Sequence, residues 1–422
     1  MIEEKINVNI SGGLDFQLPN MVKVRQKFSL PKISNVYDEI SKDFDNKKTN
    51  SRIKPGMTIA VGCGSRGIAN ISEATKAVVD FLLKCKAKPF IFPAMGSHGG
   101  ATAEGQLKVL ADYGITEDSM GCPIKSSMEV VELSKLDTGM PIYIDKHASE
   151  ADGIVVISRI KPHTNFRAPI ESGIVKMLTI GMGKIAGATE LHSYGMDTFI
   201  DLLPKACAEI ISKKNILFGV GLVENAADET AIAEIVHAEN IFSREIELQK
   251  IAKNYMPRLL FDEIDVLVID QIGKNISGAG MDPNITGRNS GGVKWDVKPD
   301  VKKIVVLGLT PETHGNATGI GMADVITYEV YKDLDISKTY ANVITSTYLD
   351  GAAIPVIMNT SEEAIKLAAK TVNRVKVKDL KIVRIKNTLE LIHIEVSANM
   401  IDIVSSSNNS FEVIGKPYPW KF

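Results

Sequence analysis

Three short apolar runs, each ending in a loop that carries an ionisable residue, constrain the fold of this chain most. Residues 57–62 read MTIAVG and lead into GCGSRG. Residues 88–93 read KPFIFP and lead into MGSHGG, and residues 153–157 read GIVVI and lead into SRIKPH. Runs this short and this apolar suit strands buried on both faces, as in a parallel sheet. The first two are followed by predicted helices over 71–86 and 102–113. Asn70 or Ser72 is the expected N-cap of the first, and Gly114 the stop of the second. In parallel sheets ligands gather outside the carboxyl ends of the strands. The loops holding Arg66, His98 and His163 are therefore expected to face one crevice.

A chain of 422 residues is too long for one ordinary core. A second block of strands and helices is predicted after residue 261: strands over 264–270, 303–309, 380–385 and 391–394, helices over 325–332 and 361–372. The polar stretch 242–255 reads as a connecting helix. The expectation is an α/β chain: two α/β domains with parallel-type sheets and an active-site crevice between them. Residues 1–260 form the first domain, carrying the chemistry, and residues 261–422 the second, closing the substrate pocket. A net charge of −2 gives no reason to expect nucleic acid or an anionic membrane as partner. No apolar run is long enough to span a bilayer. The start, MIEEKINVNISGG, lacks the basic and apolar regions of a secretory signal. The four cysteines, Cys63, Cys85, Cys122 and Cys207, form no CxxC pair. A cytoplasmic chain with reduced thiols is the simplest account.

The stretch from Ser158 to Tyr194 holds the densest chemistry. Two of the seven histidines, His163 and His192, lie there, with Lys176 between them in Ser172-Gly173-Ile174-Val175-Lys176. A lysine on a glycine-containing loop between two histidines suggests a site for a reactive or metal-bearing group. No HxH or HExxH pattern accompanies it. Lys184, after Gly183, is a rival reactive lysine. The glycines of GSHGG, Gly96 and Gly99, precede a helix start, where backbone N–H groups can hold a phosphate.

These residues resemble the nickel-dependent lactate racemase family, whose members racemise or epimerise 2-hydroxy acids. The resemblance runs through Arg66 on the first loop, Gly96-Ser97-His98, Pro162-His163, and Lys176 with His192 sixteen positions later. It continues in Gln271-Ile272-Gly273-Lys274 of the second block, and covers most of the chain. Three departures accompany it. The first loop reads Cys63-Gly64-Ser65-Arg66-Gly67 where the family has Asp-x-Thr-Arg-Pro. Gly99-Gly100 stands where lactate racemases have Arg-Pro, and three extra residues separate Pro-His from the lysine.

The resemblance implies a nickel-pincer nucleotide cofactor (pyridinium-3,5-bisthiocarboxylic acid mononucleotide nickel), tethered covalently to Lys176 and supplied by cofactor-biosynthesis proteins. It implies His192 as the nickel ligand completing a square plane. His98 and His163 would be the acid–base pair, each serving one face of the substrate. Arg66 would grip the carboxylate of a small-molecule 2-hydroxy acid, with Gln271 and Lys274 completing substrate binding. His314 lies on a predicted loop near enough in pattern to approach such a site. The glycine departures, with the nearby donors Arg159, Lys161, Arg167 and Arg288, point to an acid larger than lactate, such as an aldonic acid or malate. Two other classes fit the same residues: a zinc hydrolase or lyase built on His98, His163 and His192, and a non-catalytic sugar-acid-binding protein.

Overall fold

The structure is a computed structural model and describes residues 6, 8–46, 49–65, 67–289, 298–407 and 410–422. The chain divides into two compact units, Leu30–Met256 and Met1–Ser29 together with Pro257–Phe422. The expected single boundary at residue 260 therefore misplaces the N-terminus. The cause is the strand Met21–Gln26, in which Val22, Val24 and Gln26 are buried while Lys23 and Arg25 are exposed. It lies between His393–Ser397 and Phe411–Tyr418, antiparallel to both.

The unit Leu30–Met256 is built on a five-stranded sheet. Its spatial order is Lys88–Pro93, Thr58–Cys63, Gly153–Arg159, Ile216–Glu224, Thr230–His237. The first four strands are parallel and the last is antiparallel. Their near-continuous apolar character follows from burial on both faces. The helix Ile71–Lys84 follows Thr58–Cys63 in the chain and leads to Lys88–Pro93. Asn70 does not cap it through its side chain: the residue is left-handed, with φ 55°. Its amide donates to Glu73 at 3.1 Å and its carbonyl accepts from Thr230 at 2.9 Å. Thr102 does cap the next helix, Ala103–Asp112, by accepting the Gly105 N–H.

Lys88–Pro93 lies on one side of Thr58–Cys63, and the later strands on the other. The chain thus reverses its direction of winding between Thr58–Cys63 and Gly153–Arg159. Such a reversal opens a crevice outside the carboxyl ends of those two strands. The polar helix Ile241–Tyr255, expected as a connector, belongs to this unit instead. Ile241, Glu245, Leu248, Gln249 and Ala252 are buried on its inner face.

The other unit is built on an eight-stranded sheet. Its order is Val356–Met358, Val325–Thr327, Asp300–Val306, Glu263–Ile269, Ile382–Ile385, His393–Ser397, Met21–Gln26, Phe411–Tyr418. The first five strands run parallel and the last three antiparallel. Residues 325–332, expected as one helix, split into the strand Val325–Thr327 and the helix Tyr328–Asp333. The β-branched trio Val-Ile-Thr favours a pleated strand, and Thr327 then caps the helix by accepting the Val330 N–H. Among the described residues, no helix is long and apolar enough to cross a membrane.

Candidate active site

The candidate residues of the unit Leu30–Met256 gather at the carboxyl ends of its parallel strands. After Thr58–Cys63 the chain turns at Gly64, whose N–H donates to Ile157 O at 3.3 Å on the neighbouring strand. Ser65 Oγ then hydrogen-bonds His98 Nδ1, joining the loops after the first and second strands. His98 is half-buried, and its own N–H donates to Met95 O at 3.1 Å. Arg159, ending the third strand, pairs with Glu224, ending the fourth, at 2.6 Å. Glu224 also accepts the Ala69 N–H at 2.7 Å. Arg66 lies outside the described residues.

The His163 loop is closed at its base. Lys161 and Ser172 form an antiparallel bridge, and Glu171, fully buried, reaches back into the loop. Its carboxylate accepts the His163 N–H at 2.7 Å and the Ala168 N–H at 3.2 Å, and pairs with Lys253 at 2.6 Å. Arg167 donates to His163 O at 2.8 Å. The ring lies 4.4 Å from Phe166, centroid to centroid. Its Nδ1 accepts the Asn165 N–H at 3.1 Å. A backbone N–H can only donate, so the neutral ring carries its proton on Nε2.

Lys176 does not lie on a loop as expected. It ends the helical turn Ile174–Lys176 and leads into a π-helical turn, Met177–Gly181. Isolated π turns recur at functional sites. This one is wedged against the strand ends. Gly96 N–H donates to Gly181 O at 3.1 Å. A Cβ at Gly181 would meet Ala94 O and Met177 Sδ, each at 2.7 Å. The turn's entry is held by Glu245, whose carboxylate accepts the Val175 N–H at 2.9 Å. Burial pushes the Glu245 carboxyl up to about 8, against the pull of the Val175 and Ile174 N–H groups.

His192 sits on the next helix, Lys184–Ser193. Burial, and then the charge of Lys176, push its imidazole down to about 4, which keeps it neutral. Its Nδ1 is buried with no hydrogen-bond partner among the described residues. Its ring stands 5.3 Å from Phe199, which is 5.4 Å from Phe166. One aromatic row thus runs from His163 through Phe166 and Phe199 to His192. Lys184, the rival lysine, is fully buried and paired with Asp145 at 3.2 Å.

The remaining expectations divide. Gly96 N–H donates to Gly181 O at 3.1 Å, packing its loop against the π turn. Gly99 is left-handed, with φ 62°, and a Cβ there would meet Gln106 N at 2.7 Å. Gln271 and Lys274 lie in the other unit, on the segment after Glu263–Ile269, where Lys274 Nζ donates to Gly278 O at 2.6 Å. His314 is in that unit too, left-handed at the end of a short turn. Three of the basic residues expected to be substrate donors are already engaged. Arg159 binds Glu224, Arg167 binds His163 O and Glu171, and Arg288 binds Asp324 and the carbonyls of Val301, Lys302 and Met322. Among the described residues no three His, Cys, Asp or Glu side chains are grouped to hold a metal. The zinc alternative lacks its three-histidine cage. Glu171, Glu245, Gln106 and Asp145 were not legible as site supports, because their roles come from burial against distant segments.

No family profile and no curated protein matches this chain. The architecture is a two-unit α/β fold with parallel-type sheets. Among solved structures it is similar to the lactate racemase apoprotein from Thermoanaerobacterium thermosaccharolyticum, with a TM-score of 0.51 over 92% of each chain. Sequence identity to that protein is 15%, so the likeness is one of fold.

Proposed function

We propose that this protein is a racemase or epimerase that inverts the C2 centre of a 2-hydroxy acid. The observation that carries the reading is the π turn at the strand ends. It places Lys176 at its start and is followed by His192, neutral and with a buried Nδ1 that has no partner among the described residues. An orphaned imidazole nitrogen beside a lysine suits the tethered nickel-pincer nucleotide of the resembled family, with Lys176 as tether and His192 as the metal ligand. That group, when bound, supplies reversible hydride acceptance at C2. The fold likeness to a lactate racemase supports the same reading.

The protein's own residues would handle the protons and the acid. Removing a hydroxyl proton from either enantiomer needs a group on each side, and imidazole titrates in the right range. His98, held by Ser65, and His163, held by Asn165, Arg167 and Glu171, are the proposed pair. They start unequal, because His163 can take a proton on Nε2 only after Nδ1 gives up the Asn165 N–H. Arg66, Gln271 and Lys274 are proposed to bind the acid, and Gly99 to lie against the nucleotide phosphate.

Substrate size follows from glycines alone once the arginines are engaged. A Cβ at Gly67 or at Gly100 would meet no described atom within 4 Å. That openness favours an acid larger than lactate, such as an aldonic acid or malate. The test has two arms. Protein from a host that makes the cofactor should carry added mass at Lys176 and invert a 2-hydroxy acid in a panel of lactate, malate and gluconate. An unmodified Lys176 in such protein, with no inversion of any acid, sinks the reading.

A further inference from the structure

We infer that Lys184 is a positioning residue that locks the loop carrying His98 to the helix carrying His192. The inference rests on the roles proposed above for those two histidines.

Lys184 opens the helix Lys184–Ser193, eight positions before His192. Its side chain is fully buried, as are those of Asp145 and Gln106. The ammonium donates hydrogen bonds to two acceptors and is paired in charge with a third group. The acceptors are Pro93 O at the end of the second strand and Gln106 Oε1 at 3.3 Å, and the paired group is Asp145 at 3.2 Å. Gln106 passes the constraint on. Its Nε2 donates to Gly96 O at 2.9 Å and to His98 O at 3.2 Å. Asp145 is itself fixed, accepting the Ala148 N–H at 2.9 Å. A continuous chain of buried polar contacts therefore runs from the His192 helix, through Lys184 and Gln106, to the backbone of His98.

Two features separate this chain of contacts from ordinary core polarity. Burying an ammonium and a carboxylate costs more than it returns unless every donor is satisfied, and an apolar pair of the same volume serves stability as well. Lys184 also sits in left-handed backbone, φ 54°, which a side-chain-bearing residue adopts at a cost. Its carbon stem and left-handed turn aim the ammonium at Pro93 and Gln106, the two groups that flank the His98 loop. Desolvation lowers the Lys184 pKa and Asp145 opposes it, as a retained buried pair requires.

The experiment is a double-mutant cycle of Lys184→Met and Gln106→Met on cofactor-free protein, read by histidine side-chain NMR. His98 and His192 are labelled with ¹⁵N and assigned by substitution. Each single variant should move the His98 ring signals and their pH titration. The double variant should move them no further than the larger single, because both cut one chain of contacts. His393, in the other unit, is the control and should stay put. Unmoved His98 signals in folded Gln106→Met, or additive shifts in the double variant, overturn the inference. If Lys184→Met does not fold, Gln106→Met alone decides, since it leaves the Lys184–Asp145 pair intact. In loaded enzyme both singles should lose about 10²-fold in kcat with KM little changed, as misplacement of a reacting group does. Wild-type protein inactive on every acid removes the racemase reading, while the NMR cycle still reports whether the coupling exists.

Discussion

His98 and His163 are held by different means, and the difference has a kinetic consequence. A serine hydroxyl, which can donate or accept, faces His98 Nδ1. A backbone N–H, which can only donate, faces His163 Nδ1. His98 can therefore switch tautomer in place and His163 cannot. His98→Ala and His163→Ala should each lower turnover by about 10²-fold or more, the usual worth of a positioned acid–base group. The losses should be unequal in the two directions of inversion, and full two-way racemisation by either variant ends the two-histidine scheme. Lys176→Ala should abolish the covalent adduct seen by intact mass, while Lys184, enclosed by Pro93, Gln106 and Asp145, should never carry it.

The turn at Met177–Gly181 is the element on which these side chains depend, and small residues make it fit. Gly173 packs against the Glu245 carboxyl, whose Cδ a Cβ there would meet at 2.8 Å. Gly181→Ala should push the turn off Ala94, costing about 1–3 kcal/mol as overpacked cores do, measurable by denaturant titration. Glu245 gives the element a pH signature. Its ordinary value is 4.5, and burial raises it to about 8 in the fold. The folded state then holds the proton more tightly than the unfolded one. The stability this contributes is full below about 4.5 and is lost as pH rises through about 8. Glu245→Gln, which keeps an acceptor for the Val175 N–H, should lack that loss. Its stability relative to wild type should therefore rise between those pH values, and a constant difference across them counts against a protonated Glu245. At this scale the sequence was partly legible. Three strands and two helices were evident because apolar runs and caps are local signals. The π turn was not, because it is fixed by Gly64 and Ala94, more than eighty residues away in the chain. Asn70 does not cap its helix for a similar reason: Thr230, on a distant strand, donates to its side-chain carbonyl.

At the scale of the whole molecule, chain order and spatial order part company. The first 29 residues complete the unit that holds residues 257–422. No local pattern announces that, because the alternation in MVKVRQ says only that a strand forms, not which sheet receives it. The register supplies the answer: Val24 stands opposite Ile394 on one side and Val413 on the other. Val24 is fully buried, so Val24→Asp would place an unpaired carboxylate inside the antiparallel part of the eight-stranded sheet. That should destabilise its unit by about 3 kcal/mol or more, the range for an uncompensated buried charge. Among the described residues the unit Leu30–Met256 shares no sheet with it, so it should be spared. Hydrogen exchange read peptide by peptide distinguishes the two outcomes. Faster exchange confined to the strands of the eight-stranded sheet supports the division of the chain, and equal acceleration in the strands Thr58–Cys63 and Gly153–Arg159 shows that the two units unfold as one.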